Sequence, residues 1–427
     1  MKLAEGGTPA GLITTTAFKR LAEAELASLG SSGLPMLVIE HPLGGQPPEA
    51  VGVRAADALG QLVGLFGTAR APRAESAAAP RAEAPDQLSI EEGDAYAEFV
   101  RREWCDGLPI VAPTPERVRA MLGRADGSAS LGLMPPLWRE CTLRTLAVNA
   151  VMAGCLPAHF PVVVAAVEAM LDPEFNLYGV QATTHPVAPL VIAGGPHARA
   201  IGLHGGSGCF GPGFHANATI GRAVRLILMN VGGGWPGRHD MATQGSPAKF
   251  AYAVTEHTEQ SPWAPLHVGL GFDPDASVVT VYGGEGPHNV NDHVSTTAAG
   301  ILNNVADVAV SLGSNVGWYF RQSQLLVVLG PEHAATIAAD GFTKADVQRF
   351  VFEHARLPLG RLRLGGMWGM HDWPAWMQKA TDDQVMLPQV PSVEDVFVIV
   401  AGGSGKHSAV VPNCTFSRAV SRAIRVP

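Results

Sequence analysis

GLITTTAFKRLAEAELASLGSSGLPMLVIEHPLGGQPPEAVGVRAADALGQLVGLFG, residues 11–67, decides the fold of the first part of this chain. Two short runs, GLITTT and MLVIEHP, predict buried strands, and the runs that follow them predict helices that end at glycine. The order strand, helix, strand, helix is typical of a parallel sheet with covering helices. Because a parallel sheet is buried on both faces and normally has more than two strands, we expect further strands to complete this one.

The segment that follows is poor in large apolar residues. It reads TARAPRAESAAAPRAEAPDQ, from Thr68 to Gln87, and this composition is typical of a tether. We therefore predict an α/β half-domain at residues 1–67, a linker at residues 68–88 and a larger domain at residues 89–427. The larger part mixes helical and strand patterns with long glycine-rich loops, which predicts an α+β domain rather than a doubly wound sheet.

Composition and charge exclude several classes of protein. The chain has 427 residues, of which 47% are apolar, so it can bury sizeable cores. Its formal net charge of -8 argues against nucleic acid or an anionic membrane surface as the main partner. No apolar run reaches the length of about 18 residues that a membrane span needs. The five cysteines, at 105, 141, 155, 209 and 414, form neither a disulfide framework nor a zinc motif, so we expect a cytoplasmic protein.

Residues 181–265 are the best candidate for a functional site. They read QATTHPVAPLVIAGGPHARAIGLHGGSGCFGPGFHANATIGRAVRLILMNVGGGWPGRHDMATQGSPAKFAYAVTEHTEQSPWAP. Glycine is common where the backbone takes a positive φ or approaches something closely. Because loops on a rigid scaffold usually carry binding and catalytic groups, we expect the polar residues from Gln181 to Trp263 to form one pocket.

Five residues of this segment are candidates for catalysis. Cys209 lies in GGSGCFGPG shortly before a predicted helix, and a helix N-terminus can activate a thiol. His185 and His215 have threonine or asparagine neighbours that can orient an imidazole for acid–base work. In TEHTEQSPW, Glu256 and His257 face opposite ways if the segment is extended, and Glu256 and Glu259 share a face if it is helical. A companion charge could raise the pKa of a general base here. The alternatives are a packed cysteine, structural histidines and a solvated charge cluster.

Six further residues are candidates for substrate binding. Arginine, lysine and amide side chains can hold a carboxylate or phosphate, although Arg222 is also a fair partner for a structural salt bridge. These candidates are Asn217, Thr219, Arg222, Asn230, Lys249 and Trp263.

The glycine-rich loops do not predict a cofactor. GGSGCFGPG and NVGGGWPG lack the spacing of dinucleotide and phosphate loops, and AGGSGKHS, near residue 402, is a weak phosphate cradle. The histidine spacing matches neither HExxH nor HxH. We expect no metal among the site residues and no tightly bound flavin, haem or nicotinamide.

The first segment resembles the second half of the UGSC domain, most sharply in HPLGGQPPE. That domain defines a family of bacterial proteins with a selenocysteine- or cysteine-Gly-Ser-Cys motif. Phrases such as DGLPIVAPTPERV, FGPGFHANATIGRAVRLILMNVGG and PSVEDVFVIVAGG make the rest of the chain similar to a long companion domain that is fused to UGSC in many bacteria. The resemblance places the family's motif upstream of the strand that begins at Gly11, and this sequence contains no CGSC. Either the motif is lost, or a separate polypeptide supplies it; the incomplete sheet favours the second.

These observations support more than one function. The first hypothesis is a subunit of a bacterial enzyme that cleaves or forms a carbon–heteroatom bond, C–S or C–N, in a small polar metabolite by thiol and acid–base chemistry. Its partner in a hetero-oligomer would be a second polypeptide with the missing half-domain. The alternatives are a non-catalytic assembly subunit of a redox (seleno)cysteine enzyme and a metal-dependent hydrolase.

Overall fold

The structure is a computed structural model, and it describes residues 10–28, 30–43, 46–67, 88–311, 313–315, 322–365, 368 and 373–426. The predicted linker lies outside the described residues, apart from Leu88. No helix among the described residues is both long and apolar enough to cross a membrane.

The first segment has the predicted order of elements. It contains β1 (Leu12–Thr15), α1 (Lys19–Ser28), β2 (Met36–Ile39) and α2 (Pro48–Gly67). The strands β1 and β2 are parallel, with Leu12 opposite Met36, as the strand–helix–strand order requires. Within the described residues, each of these strands pairs only with the other, so the sheet has two strands.

The larger part is a mixture of helices and strands, and the predicted α+β class is confirmed. Its helices are α3 (Ala95–Arg101), α4 (Pro115–Leu122), α5 (Leu143–Ala153), α6 (Phe160–Met170), α7 (Leu177–Gln181), α8 (Pro196–Ala200), α9 (His215–Asn230), α10 (Leu266–Gly269), α11 (Ala298–Ala309), α12 (Pro331–Ala339), α13 (Lys344–His354), α14 (Leu359–Leu364) and α15 (Ala375–Lys379). Its strands are β3 (Ser130–Met134), β4 (Arg139–Thr142), β5 (Ala188–Gly194), β6 (Ala253–Val254), β7 (Val278–Gly284), β8 (His288–Asn291), β9 (Leu325–Leu329), β10 (Arg356–Pro358), β11 (Met386–Pro388), β12 (Val396–Val400), β13 (His407–Pro412) and β14 (Val420–Ala423).

Two four-stranded mixed sheets form the centre of this part. The first has the order β14-β7-β5-β6, in which only β5 and β6 are parallel. The second has the order β12-β9-β13-β8, in which only β12 and β9 are parallel. Smaller antiparallel pairs join β3 to β4 and β10 to β11.

Alternating side chains show how the sheets are layered. Along β5, Leu190 and Ile192 pack against residues of the second sheet, whereas Val191 and Ala193 pack against helices α5, α6 and α9. Along β9, Leu326 and Val328 face the first sheet, and the remaining residues pack against α11, α12 and α13. Because successive strand residues point to opposite faces, the order of layers is helices, sheet, sheet, helices.

Candidate functional site

Helix α9 carries five of the predicted site residues. At about 100° per residue, His215, Thr219, Arg222 and Asn230 fall within one narrow arc of the helix, and Asn217 lies on the opposite side. The arc faces α5 and the chain segment around Trp104 and Asp106. The polar face of this helix is therefore packed against protein along much of its length.

Arg222 and Asn230 are held by neighbouring chain segments. Arg222 donates to both carboxylate oxygens of Asp106, at 2.8 and 2.7 Å, and to the carbonyl of Leu108 at 3.1 Å. Asn230 donates to the carbonyl of Trp104 at 2.8 Å and to Asn149 Oδ1 at 2.7 Å. For Arg222, the structural salt bridge that the sequence offered as the alternative is present.

Asn217 anchors the glycine-rich loop around Cys209. Its amide nitrogen donates to the carbonyls of His204 and Ala253, at 2.9 and 3.1 Å, and its oxygen accepts from His204 N–H at 2.8 Å. Such a saturated, buried amide fixes backbone geometry. Its contacts favour a structural role over the predicted substrate contact.

Three histidines lie near the start of α9. The rings of His159 and His215 have centroids 5.3 Å apart. His159 Nδ1 accepts from Leu156 N–H at 3.3 Å and lies 3.2 Å from Thr219 Oγ1. Burial lowers the pKa of His159 to about 4, with further lowering by His215 and His197. His159 is therefore a neutral imidazole at physiological pH, and Thr219 belongs to its surroundings.

Cys209, the predicted nucleophile, is one of five buried cysteines. All five are buried and unpaired with one another. Burial raises the pKa of Cys209 to about 11 and the pKa of Cys155 and Cys414 to about 12. Cys209 packs beneath its loop against Tyr252 and the inner faces of the sheets. Burial thus outweighs the nearby helix N-terminus, which does not favour the nucleophilic role predicted for Cys209.

Lys249 and His185 each pair with a carboxylate. Lys249 Nζ donates to Asp240 at 2.8 and 2.7 Å, and Arg225 approaches the same carboxylate at 3.0 Å. His185 Nδ1 accepts from Val187 N–H, so its Nε2–H donates to Glu285 at 3.0 Å.

Glu256 lies in a buried pair with a lysine. Its Oε2 accepts from Leu266 N–H at 2.6 Å, and its Oε1 lies 3.6 Å from Lys344 Nζ. Burial raises the pKa of Glu256 and lowers the pKa of Lys344, while the opposite charges partly offset both shifts. Glu259, by contrast, is exposed, and Trp263 donates through its indole N–H to the carbonyl of Phe342 at 3.0 Å.

The predicted site residues therefore lie in several separate hydrogen-bond networks. The contacts of His185, Asn217 and Glu256 have no residue in common. The structure does not bring the segment from Gln181 to Trp263 into the single network that one pocket would show.

The Trp104 cleft is the site that the structure itself indicates. It has a volume of about 450 Å³, within the range of small-molecule pockets. It is lined by Phe99, Arg102, Glu103, Trp104, Pro113, Leu137, Arg139, Val148, Asn149, Met152, Asn230, Gly233, Trp235, Arg238 and His239. A smaller cavity of 270 Å³ beside Ser130 and Arg425 is lined mostly by apolar residues. Of the predicted site residues, only Asn230 reaches the Trp104 cleft.

The Trp104 cleft combines cationic and aromatic side chains. Three arginines stand against one glutamate in its wall. Arg102 lies over the ring of Trp104 at 4.9 Å from the centroid and also pairs with Glu98, while Arg238 pairs with Glu103. Arg139 donates to the carbonyl of Asn230 at 3.3 Å. The wall therefore offers planar guanidinium groups, which suit the binding of a carboxylate or phosphate.

Glu103 has an unusual backbone in this wall. Its φ of 55° is in the left-handed region, which a residue with a side chain seldom adopts and which costs about 1 kcal/mol or more. Such a conformation is common just after a helix, and here Glu103 N–H donates to the carbonyl of Val100 at 3.1 Å and Trp104 N–H to that of Phe99 at 2.9 Å. It turns the chain between the end of α3 and Trp104.

His239 is the buried imidazole of the cleft. Its Nδ1–H donates to the carbonyl of Gly233 at 2.9 Å, which leaves Nε2 with a lone pair. That nitrogen is buried and has no hydrogen-bond partner among the described residues. Burial lowers the pKa of His239, which keeps the ring neutral near pH 7. A fixed, neutral imidazole with a free lone pair has the properties of a general base.

Glu25 brings the first segment to this imidazole. It lies on α1, with Oε1 at 3.8 Å from His239 Nε2. Tyr178 lies beside the Glu25 carboxyl group and partly offsets its pKa shift, and Trp138 stacks on Tyr178 at 6.0 Å between ring centroids. Burial raises the pKa of Glu25. Burial therefore favours the neutral forms of both Glu25 and His239 over an ion pair.

Sequence reasoning did not select His239 or the arginines. His239 follows the GGGWPG turn, but neither local spacing nor a motif links it to Glu25, which is more than two hundred residues away. The cluster RREW at residues 101–104 was the one local signal, since it combines arginines with tryptophan.

Comparison with known proteins gives one match. Residues 1–68 match the model of the UGSC family, which confirms the resemblance for this segment. No curated protein and no solved structure matches the chain. The match covers the segment that carries Glu25.

Proposed function

We propose, starting from a UGSC-family segment at residues 1–68, that this chain is a subunit of an enzyme that transforms a small anionic metabolite in the Trp104 cleft. The observation that carries the proposal is the excess of arginine in this cleft, in a chain whose net charge is -8. A local positive surface on an acidic protein attracts anionic ligands. The tryptophans Trp104 and Trp235 add flat apolar walls for the rest of the ligand.

His239 and Glu25 would perform the proton transfers. His239 accepts a proton at Nε2, and the carbonyl of Gly233 holds the ring in the required tautomer. Glu25, whose neutral form burial favours, lies on the same side of the ring and would supply the second proton. Cleavage of a C–S or C–N bond by elimination needs a base that removes a proton from carbon and an acid that protonates the leaving heteroatom, and formation of the bond is the reverse.

Any thiol in the reaction would come from another polypeptide. The cysteines of this chain are buried, and the pKa values of four of them are raised to about 11 or 12. We therefore propose that a second polypeptide with a UGSC-type half-domain completes the sheet of β1 and β2 and places its own cysteine near the cleft. Among the residues that the structure describes, β1 and β2 pair only with each other, and such open strand edges support this arrangement.

The experiment combines binding with turnover in the complex purified with its partner. Succinate serves as the anionic probe in calorimetry at constant ionic strength. Release of sulfide or ammonia from a panel of amino acids and thio acids measures cleavage of C–S or C–N bonds. We expect Arg139→Gln to weaken succinate binding about tenfold or more, because a charge-assisted hydrogen bond is lost. We expect His239→Gln to keep succinate affinity and lower turnover by about 10²–10⁴-fold.

Matched controls lie on helix α13. Arg349 and His354 are exposed there and do not line the cleft, so Arg349→Gln and His354→Gln should change neither measurement. Arg238→Gln is a second test of binding at an exposed position, in case Arg139→Gln impairs folding. Unchanged succinate binding in both cleft variants would overturn the anion site. Full turnover in His239→Gln would instead favour the second candidate function, a non-catalytic assembly subunit. The exposed apolar side chains of α2 support that candidate.

A further inference from the structure

Two exposed histidines meet at the edge of the second sheet, outside the Trp104 cleft. The Nε2 atoms of His293 and His407 are 3.3 Å apart, and their rings are nearly perpendicular at 83°. Two imidazole nitrogens on one tetrahedral zinc ion, each with a bond of about 2.0–2.1 Å, lie about 3.3–3.4 Å apart. The separation therefore suits two ligands of one metal ion as well as it suits a hydrogen bond.

His407 has the orientation of a metal ligand. Its Nδ1 lies 3.0 Å from Asn289 Oδ1. Because an amide oxygen can only accept, Nδ1 carries the proton and Nε2 presents its lone pair toward His293. Metal-binding histidines are usually oriented in this way by a second hydrogen bond.

The turn that carries His293 is held in place by Asp292. This carboxylate accepts from Val294 N–H at 3.1 Å, from Ser295 N–H at 2.9 Å and from Asn304 Nδ2 at 2.7 Å. The backbone on both sides of His293 is therefore fixed before any ligand arrives.

A buried network joins the two histidine-bearing segments. His333 donates through Nε2–H to the carbonyl of Asp292 at 2.9 Å, and its Nδ1 lies 2.8 Å from Ser408 Oγ. Ser408 follows His407 on β13, where His407 itself pairs with Asn291 on β8. Both histidines thus stand on a rigid frame, which reduces the cost of ordering them around an ion.

We propose that His293 and His407 bind a divalent transition-metal ion of the zinc, nickel or copper class. Imidazole nitrogen is a preferred ligand for these ions. No group of three or more ligating His, Cys, Asp or Glu side chains occurs in the part of the chain that the structure describes. Water or an added oxygen ligand therefore completes the coordination, and the ion keeps open positions.

The test is calorimetric titration of the full chain with Zn²⁺, supported by the visible spectrum of the Co²⁺ form. We expect one site per chain. His293→Ala and His407→Ala should each weaken its affinity by at least about tenfold. Asn289→Ala should weaken it by about 10–100-fold through loss of ring orientation.

His288→Ala is the matched control. His288 is exposed on β8, next to Asn289 in the sequence. Because successive residues of a strand point to opposite faces, the side chain of His288 lies on the other face from Asn289. Its loss should leave the titration and the Co²⁺ spectrum unchanged. The proposal fails if wild-type protein binds Zn²⁺ no more tightly than the His293→Ala/His407→Ala double variant, or if His288→Ala weakens binding equally. Neither outcome depends on the Trp104 cleft, so the two proposals are tested separately.

Discussion

His159 shows how a single buried imidazole makes stability depend on pH. In the folded chain its pKa is lowered to about 4 from the usual value of about 6.5, chiefly by burial. A histidine with a depressed folded pKa contributes stability that is present above the unfolded pKa and is lost as the pH falls toward the folded one. Stability is therefore lost between the unfolded pKa of about 6.5 and the folded pKa of about 4.

We expect His159→Gln to make the free energy of unfolding fall less steeply as the pH is lowered. From pH 7 to pH 5, the wild-type protein should lose about 2 kcal/mol more free energy of unfolding than the variant, in urea titrations at each pH. Glutamine retains an acceptor for Leu156 N–H, so the variant should still fold at pH 7. Equal losses for the two proteins would show that His159 is not the buried neutral group.

The role of His239 could not be predicted from the sequence around it. Its position after a glycine-rich turn can be read from the sequence. The free lone pair that makes it a base depends on two tertiary contacts. Gly233 must accept from Nδ1, and α1 must pack so that Glu25 lies 3.8 Å from Nε2. Contacts between such distant residues are created by tertiary packing, which leaves no local pattern.

At the scale of elements, local patterns predict helices and strands better than their partners. The apolar spacing of this stretch predicts the helix at His215–Asn230, and the sequence indicates Arg222 as a possible ion-pair residue. The four-layer arrangement could not be predicted, because it needs pairings such as β14 with β7, in which Ser421 lies opposite Thr280. For the same reason, the sequence does not predict which face of α9 packs against the rest of the protein.

The pair of Glu256 and Lys344 fixes one such tertiary contact. It joins the segment between β6 and α10 to the first residue of α13. We expect Lys344→Met to lower the free energy of unfolding by about 3 kcal/mol or more, because it leaves a buried carboxylate without its cation. The Glu256→Gln/Lys344→Met double variant should recover most of the loss in the same denaturation experiment. A double variant as unstable as Lys344→Met would mean that packing, rather than charge, holds this contact.

At the scale of the whole molecule, the first segment presents apolar surface that no described residue covers. On α2, Val53, Leu59 and Val63 are 71%, 61% and 67% exposed. Leu59 and Val63 are four residues apart and so lie on one side of the helix. Beside them, β1 and β2 pair only with each other within the described residues. Exposed apolar side chains next to open parallel strands are typical of a surface that another chain covers.

We therefore expect the chain to self-associate when it is expressed without a partner. Light scattering on a sizing column should show a mass that rises with concentration. Leu59→Lys/Val63→Lys should reduce this rise, because charges on the apolar side oppose its burial. Asp57→Lys/Gln61→Lys is the matched control, since it places two lysines with the same spacing on the opposite side of α2 and should leave the association unchanged. In the native complex, the Leu59→Lys/Val63→Lys variant should also lose the second polypeptide. A wild-type chain that stays monomeric at every concentration, with α2 protected from hydrogen exchange, would contradict the proposed partner.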